Sequence, residues 1–280
     1  MAIQFIGVRA HDYGRQTPEK LLGDIAADGW QAVQLALKKA VAGIETMADA
    51  DDAAIARIHS ALRRNRLHPA VIGSYIDPAL VIDDQKREAG IQDFLQNIAV
   101  AKELGADCVG TETTRSSTQP TVTRQEALRT LYHSLETLLT RAEELGVDIA
   151  IEPVWVHTVN TPELAAEVLR TMASPRLKII FDPVNLLSAE ALPQQDDLWE
   201  RSFEAFGPVI AAVHLKGAVL AEPGHIAASG FTESVVDYPF LMERLQKLPQ
   251  RFSILREEAR PERGPEDFAF MKRLCDAAKA

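Results

Sequence analysis

Short apolar runs, most of them ending in a polar or charged residue, recur along this 280-residue chain and alternate with longer amphipathic stretches. Eight runs can be read: Gln4 to Ala10, Ala32 to Leu37, Pro69 to Tyr75, Asp107 to Thr111, Val147 to Glu152, Leu177 to Asp182, Val209 to Leu215 and Phe252 to Glu257. Alternation of strand-like runs with helical patterns implies a parallel sheet with crossover helices. Eight units in succession imply an α/β chain folded as a (β/α)8 TIM barrel, an architecture of about 250 residues. No linker, low-complexity tract or charge block interrupts the rhythm, so residues 1–280 read as a single domain.

The helical stretches carry their own signals. From Gln125 to Leu145, residues Leu128, Leu131, Leu135, Leu138, Leu139 and Leu145 fall near one helical face. Thr17-Pro18-Glu19 and Thr161-Pro162-Glu163 each offer an N-cap hydroxyl, a proline at the first helical position and an early acid. Gly105 and Gly146 stand where a glycine C-cap precedes the next strand.

Four runs end in side chains able to bind a hard metal ion: Glu152, Asp182, His214 and Glu257. Their separations of 30, 32 and 43 residues compare with about 31 for one strand-plus-helix unit of a barrel whose catalytic groups sit at C-terminal strand ends. The spacing puts all four on one rim. Strand side chains alternate, so Ala150, Ile180, Ala212 and Leu255, each two residues earlier, are expected to point into the barrel. The same parity favours Glu257 over Glu258, because an inward Glu258 would carry Arg256 inward as a costly buried cation. Three carboxylates and an imidazole suit one divalent ion, Mn²⁺ or Mg²⁺ first, with Co²⁺ or Zn²⁺ also accommodated. The plainer alternative is that each acid caps a helix or pairs with a nearby Lys or Arg; it explains one such residue readily and four together less well. The long last gap holds an irregular segment, Gly217 to Val236, expected as a mobile active-site loop, and Lys38 to Ala50 is expected to shape the substrate mouth.

A net charge of -10 argues against a binder of nucleic-acid backbones, which needs clustered Lys and Arg. Cys108 and Cys275 form no metal or redox motif, the N-terminus runs directly into a strand-like segment, and no run of 18 apolar residues occurs. A cytoplasmic setting without membrane attachment is the expectation.

The motifs Val8-Arg9-Ala10-His11-Asp12, Ile72-Gly73-Ser74-Tyr75, Val109-Gly110-Thr111-Glu112-Thr113 and Ile151-Glu152-Pro153 are followed by Phe181-Asp182-Pro183-Val184-Asn185, Val213-His214-Leu215-Lys216 and Leu255-Arg256-Glu257. In that order, over nearly the whole chain, they resemble the xylose isomerase-like barrels: sugar isomerases, ketose 3-epimerases, inosose dehydratases and an apurinic-site endonuclease branch. The resemblance implies that Glu152, Asp182, His214 and Glu257 bind one divalent metal, with Glu152 and Glu257 as paired acid/base carboxylates. A metal chelated by a carbonyl and its neighbouring hydroxyl acidifies the intervening C–H, one carboxylate removes that proton, and another returns one. Return to the opposite face is epimerisation, return to the adjacent carbon is isomerisation, and loss of a β-hydroxyl is dehydration. Asn185 stands where many relatives carry histidine and Gly217 where many carry aspartate, while Ala227 and Ser229 stand where the endonuclease branch needs an Asp-x-His pair. A mononuclear small-molecule enzyme is favoured over a nuclease.

His11, Glu112, Trp155, His157, Asn185 and Lys216 complete the expected substrate-binding set. His11 and Glu112 are read at the ends of strands, Trp155 as an aromatic wall, and His157 as an imidazole for a hydroxyl. Lys216 either neutralises an anionic substrate oxygen or forms an internal salt bridge to Glu257 or Glu152. The leading expectation is a metal-dependent sugar or keto-sugar isomerase or epimerase. A dehydratase-like lyase acting on a cyclitol comes second, then a non-catalytic sugar-binding barrel and the endonuclease. The expected partner is a small carbohydrate or cyclitol, and a homo-oligomer is compatible with such a barrel.

Overall fold

The computed structural model describes residues 2–222 and 224–278. In chain order the elements are β1 (Ile3–Arg9), α1 (Pro18–Ala27), β2 (Ala32–Leu35), α2 (Leu37–Ala40), α3 (Asp52–Asn65), β3 (His68–Gly73), α4 (Asp84–Leu104), β4 (Cys108–Glu112) and α5 (Arg124–Leu145). They continue with β5 (Asp148–Glu152), α6 (Pro162–Met172), β6 (Leu177–Phe181), α7 (Gln195–Phe206), β7 (Ile210–Leu215), β8 (Gly217–Ala221), β9 (His225–Ser229), α8 (Tyr238–Gln246), β10 (Phe252–Arg256) and α9 (Gly264–Ala277). Eight parallel strands close in the order β1, β10, β7, β6, β5, β4, β3, β2, and helices occupy the connections. This is the expected (β/α)8 TIM barrel. Among the described residues, no helix is long and apolar enough to cross a membrane.

Local chemistry sets the units. Thr123 opens α5 with a capping box, its hydroxyl accepting from Glu126 N at 3.3 Å while the Glu126 carboxylate accepts from Thr123 N at 2.9 Å. Thr161 Oγ1 accepts from Leu164 N at 3.2 Å. Thr17 differs from expectation: it precedes Pro18 in extended conformation, but its hydroxyl makes no capping hydrogen bond. Gly105 and Gly146 end α4 and α5 with φ of 70° and 69°, a conformation that costs a residue with a Cβ.

Two apolar layers result. A large core lies between strands and helices, and a separate interior cluster contains Ala32, Val71, Cys108, Ala150, Ile180, Ala212 and Leu255. The four residues expected to point inward from strand parity all belong to that cluster. Arg256, with the opposite parity, packs outward, donating to Asp267 Oδ2 at 2.8 Å and lying over the Phe231 ring at 4.4 Å. Burial of a side chain such as Ile180 or Leu255 stabilises the barrel by about 1.5–3 kcal/mol.

The segment after β7 corrects an expectation. Instead of an irregular loop throughout, it contains the antiparallel hairpin β8–β9, in which Gly217 pairs with Ser229 and Ala221 with His225. The signal was present as two short apolar stretches flanking the dipeptide Pro223-Gly224. The Lys38 to Ala50 segment likewise begins with the last residues of α2 and anchors itself by the buried Met47.

Candidate metal and proton-transfer site

The C-terminal ends of β5, β6, β7 and β10 bring the four rim residues together in a buried cluster. Glu152 is the last residue of β5, paired in register with Glu112 on β4. Asp182 follows β6, and its Oδ1 accepts from the backbone of Val184 at 2.8 Å and Asn185 at 2.9 Å, which leaves Oδ2 facing the site. His214 lies on β7 beside Leu255 of β10. Glu257 continues β10, its backbone N–H donating to Leu215 O at 3.1 Å, and this seats it next to Lys216.

Glu152, Asp182 and His214 offer ligand atoms that all lie within 4.8 Å of one another. His214 Nδ1 is 3.1 Å from Glu152 Oε2. Asn185 bridges two groups, donating from Nδ2 to Glu152 Oε1 at 2.6 Å and accepting from Lys216 Nζ at 2.6 Å. Lys216 also donates to Glu257 Oε2 at 2.6 Å and lies 3.0 Å from Asp182 Oδ2. The Asp182 contact is an ion pair. Of the two expected roles for Lys216, the structure places it in internal ion pairs with Glu257 and Asp182.

Glu257 turns inward and is 4% exposed, whereas the Glu258 side chain is 54% exposed and its backbone adopts φ +57°. Arg9 joins them, donating to Glu257 Oε1 at 2.5 Å, to Glu258 Oε1 at 3.1 Å and to Asp12 Oδ1 at 2.9 Å. Burial pushes Glu257 upward, but Lys216, His214 and Arg9 overcome it and hold the carboxyl well below its usual range. Burial pushes Asp182 up to about 7, against the pull of Lys216. Burial draws His214 down, yet Glu152, Glu257 and Asp182 outweigh it and lift the imidazole to about 9. For Lys216 burial again disfavours the charge, and Asp182 and Glu257 more than reverse it, so the side chain is an ammonium.

The other expected residues ring this cluster. Glu112 ends β4, with its Oε2 3.4 Å from His157 Nε2; burial and the neighbouring Glu152 and Glu257 push it up to about 7. Burial and Arg115 lower His157. Trp155 is 47% exposed, its backbone N–H donating to Asn185 O at 2.8 Å. His11 is displaced from the position read in the sequence: β1 ends at Arg9, and His11 sits on a short 3-10 turn, 3.4 Å from the Tyr75 hydroxyl. Burial, Arg9 and Lys39 lower His11 to about 3, so it is neutral at ordinary pH.

Sequence reasoning missed Gln34, Tyr75, Lys39 and Arg9 as members of the site. Gln34 Oε1 lies 2.6 Å from His214 Nε2, Gln34 Nε2 donates to the Tyr75 hydroxyl at 3.0 Å, and Lys39 Nζ stands 3.2 Å over the Tyr75 ring. For Gln34 a signal existed, namely an amide inside the apolar run Ala32-Val33-Gln34-Leu35, where burial demands a partner.

Fold and site together define a (β/α)8 barrel whose C-terminal mouth gathers acidic side chains around a histidine and a lysine. The family model of the xylose isomerase-like TIM barrel matches residues 22–274, and the chain belongs to that family. No curated protein matches the chain by sequence. Among solved structures it is similar to a D-tagatose 3-epimerase-like protein, at 16% identity and TM-score 0.77 over 99% of this chain and 98% of that one. It is also similar to the 3-keto-D-glucoside 4-epimerase YcjR from E. coli in its apo form, at 14% identity and TM-score 0.75 over 96% and 99% of the two chains. The IOLI protein with a binding zinc atom is similar at 17% identity and TM-score 0.74, over 98% of each chain. At these identities the likeness is one of fold.

Proposed function

We propose that this protein is a divalent-metal-dependent isomerase or epimerase of a sugar or keto-sugar, working by proton transfer next to a carbonyl. The observation that carries the reading is the convergence of Glu152, Asp182 and His214 within 4.8 Å, beside the buried carboxylate of Glu257, at the C-terminal mouth. Two carbohydrate epimerase names and a zinc-binding protein among its structural relatives support it.

The donor set fits such an ion. Asp182 Oδ2 and His214 Nδ1 are buried and face the cluster, Oδ2 lying 3.0 Å from the Lys216 ammonium and Nδ1 3.1 Å from Glu152 Oε2, so a cation entering there would replace charge contacts these atoms already make. Glu152, Asp182 and His214 would hold the metal, and Glu257 is the fourth ligand in this reading, sharing its carboxylate with Lys216 and Arg9. Mn²⁺ or Mg²⁺ suits the mostly oxygen donors best, with Co²⁺ or Zn²⁺ also accommodated; when bound, the ion supplies Lewis-acid polarisation of a carbonyl and its neighbouring hydroxyl.

The remaining chemistry falls to side chains of this chain. Glu257 is ionised and takes the proton from the carbon beside the carbonyl. Glu152, oriented by Asn185, is the second carboxylate and returns a proton. Lys216, 2.6 Å from Glu257, supplies the positive charge that compensates the group while protons move. Trp155 presents an exposed apolar face to a sugar ring, and Glu112, His157 and His11 face its hydroxyls. Incubation of the metal-loaded protein with ketoses, aldoses and inososes in deuterated water is the test. Deuterium at the carbon next to the carbonyl is expected. No exchange with any of these substrates overturns the reading, and a new enone or diketone absorbance replaces it with a dehydratase.

A further inference from the structure

We propose that Gln34 is a positioning residue that fixes which nitrogen of His214 faces the metal site, and that Tyr75 holds the Gln34 amide in the required orientation. The proposal rests on the metal reading above and assigns a role to two residues outside the ligand set.

Gln34 lies within β2 and is 3% exposed. In the closed barrel β2 and β7 are separated by β10 and β1, so the contact with His214 crosses the interior and joins residues 180 positions apart. At 2.6 Å, Gln34 Oε1 meets His214 Nε2, while His214 Nδ1 points into the ligand cluster, 3.1 Å from Glu152 Oε2. An amide oxygen only accepts, so Nε2 carries a proton, and Nδ1 is the nitrogen that gives up its proton and offers a lone pair when a cation binds. Had the amide been turned round, its NH2 would face Nε2 and drive the proton to Nδ1, removing the ligand lone pair.

The other end of the amide fits this direction. Gln34 Nε2 donates to the Tyr75 hydroxyl at 3.0 Å, and that hydroxyl is 3.4 Å from His11 Nε2. Each group can therefore donate to the next, from His214 to Gln34, then to Tyr75, then to His11. The chain leaves the amide oxygen toward His214 and spends no donor on a second donor. Outer partners of this kind set the tautomer and ring orientation of a ligating histidine, and their removal costs about 10–100-fold in metal affinity.

The experiment combines Mn²⁺ titration by calorimetry with nitrogen-15 NMR of histidine-labelled, Zn²⁺-loaded protein. In the wild type the His214 Nε2–H proton should be visible and slow to exchange with solvent. Gln34→Leu should weaken Mn²⁺ binding by about 10–100-fold and lose that signal. Gln34→Glu, which keeps an acceptor of the same reach, should restore both, and Tyr75→Phe should fall between. A zinc-bound His214 protonated on Nδ1 in the wild type, or Gln34→Leu binding Mn²⁺ as tightly as wild type, overturns the proposal. Wild-type protein that takes up no metal overturns the metal reading and this proposal with it.

Discussion

Lys216 donates to Glu257 Oε2 at 2.6 Å with both side chains almost wholly withdrawn from solvent, 8% and 6% exposed. Removing one member of such a pair leaves a buried charge without compensation, which costs about 3–5 kcal/mol. Lys216→Met should lower the denaturant midpoint of the metal-stripped protein accordingly, and added Mn²⁺ should recover part of the loss by compensating the same carboxylates. An unfolding free energy within about 1 kcal/mol of wild type would show the ammonium to be dispensable.

The two acid/base carboxylates should separate chemistry from folding. Glu152→Gln and Glu257→Gln keep the shape of the side chain and remove the base, so solvent deuterium exchange into substrate should fall by about 100-fold to 10,000-fold. Far-UV circular dichroism should be unchanged. Exchange that survives both substitutions would mean that another group moves the proton.

Metal uptake should depend on pH with a defined sign. A ligating histidine must be neutral and a ligating aspartate ionised. His214 is lifted to about 9 and Asp182 to about 7 before metal binds, so protons compete as pH falls through 9 and again through 7. Affinity should therefore drop across that interval, and calorimetry in buffers of different ionisation enthalpy should detect proton release. An affinity that is flat between those two values would contradict this arrangement.

Two glycines set how closely the barrel strands approach. A Cβ at Gly7 would lie 2.3 Å from the backbone oxygen of Ala32, whereas one at Gly110 would meet Ile180 Cδ1 at 2.4 Å. An Ile methyl can rotate aside and a strand carbonyl cannot. Gly110→Ala should destabilise by about 1–3 kcal/mol, the usual cost of overpacking, and Gly7→Ala by more. Equal losses in equilibrium denaturation would remove the distinction.

Much of the barrel was legible in the sequence because its rules are local. Apolar runs located all eight barrel strands to within about two residues at each end, as the observed bounds from Ile3–Arg9 to Phe252–Arg256 attest. Alternation along β10 placed Glu257 inward and Arg256 outward from four consecutive residues alone. The β8–β9 hairpin was passed over because glycines at 217, 224 and 230 outweighed the short apolar stretches between them.

The sequence by itself determined that Glu152, Asp182, His214 and Glu257 end barrel strands on one rim, since strand period and strand end are properties of neighbours along the chain. Only the tertiary structure decided what they meet there. Gln34 and His214 are 180 positions apart, and Arg9 and Glu257 are 248 apart. Closing the barrel brings β1 against β10 and sets β2 across from β7. No periodicity encodes such a contact, because it depends on ring closure and on which end of an amide or carboxylate finds a partner. Asn185 shows the same division: the sequence put it three residues after Asp182, and the fold made it the bridge between Glu152 and Lys216.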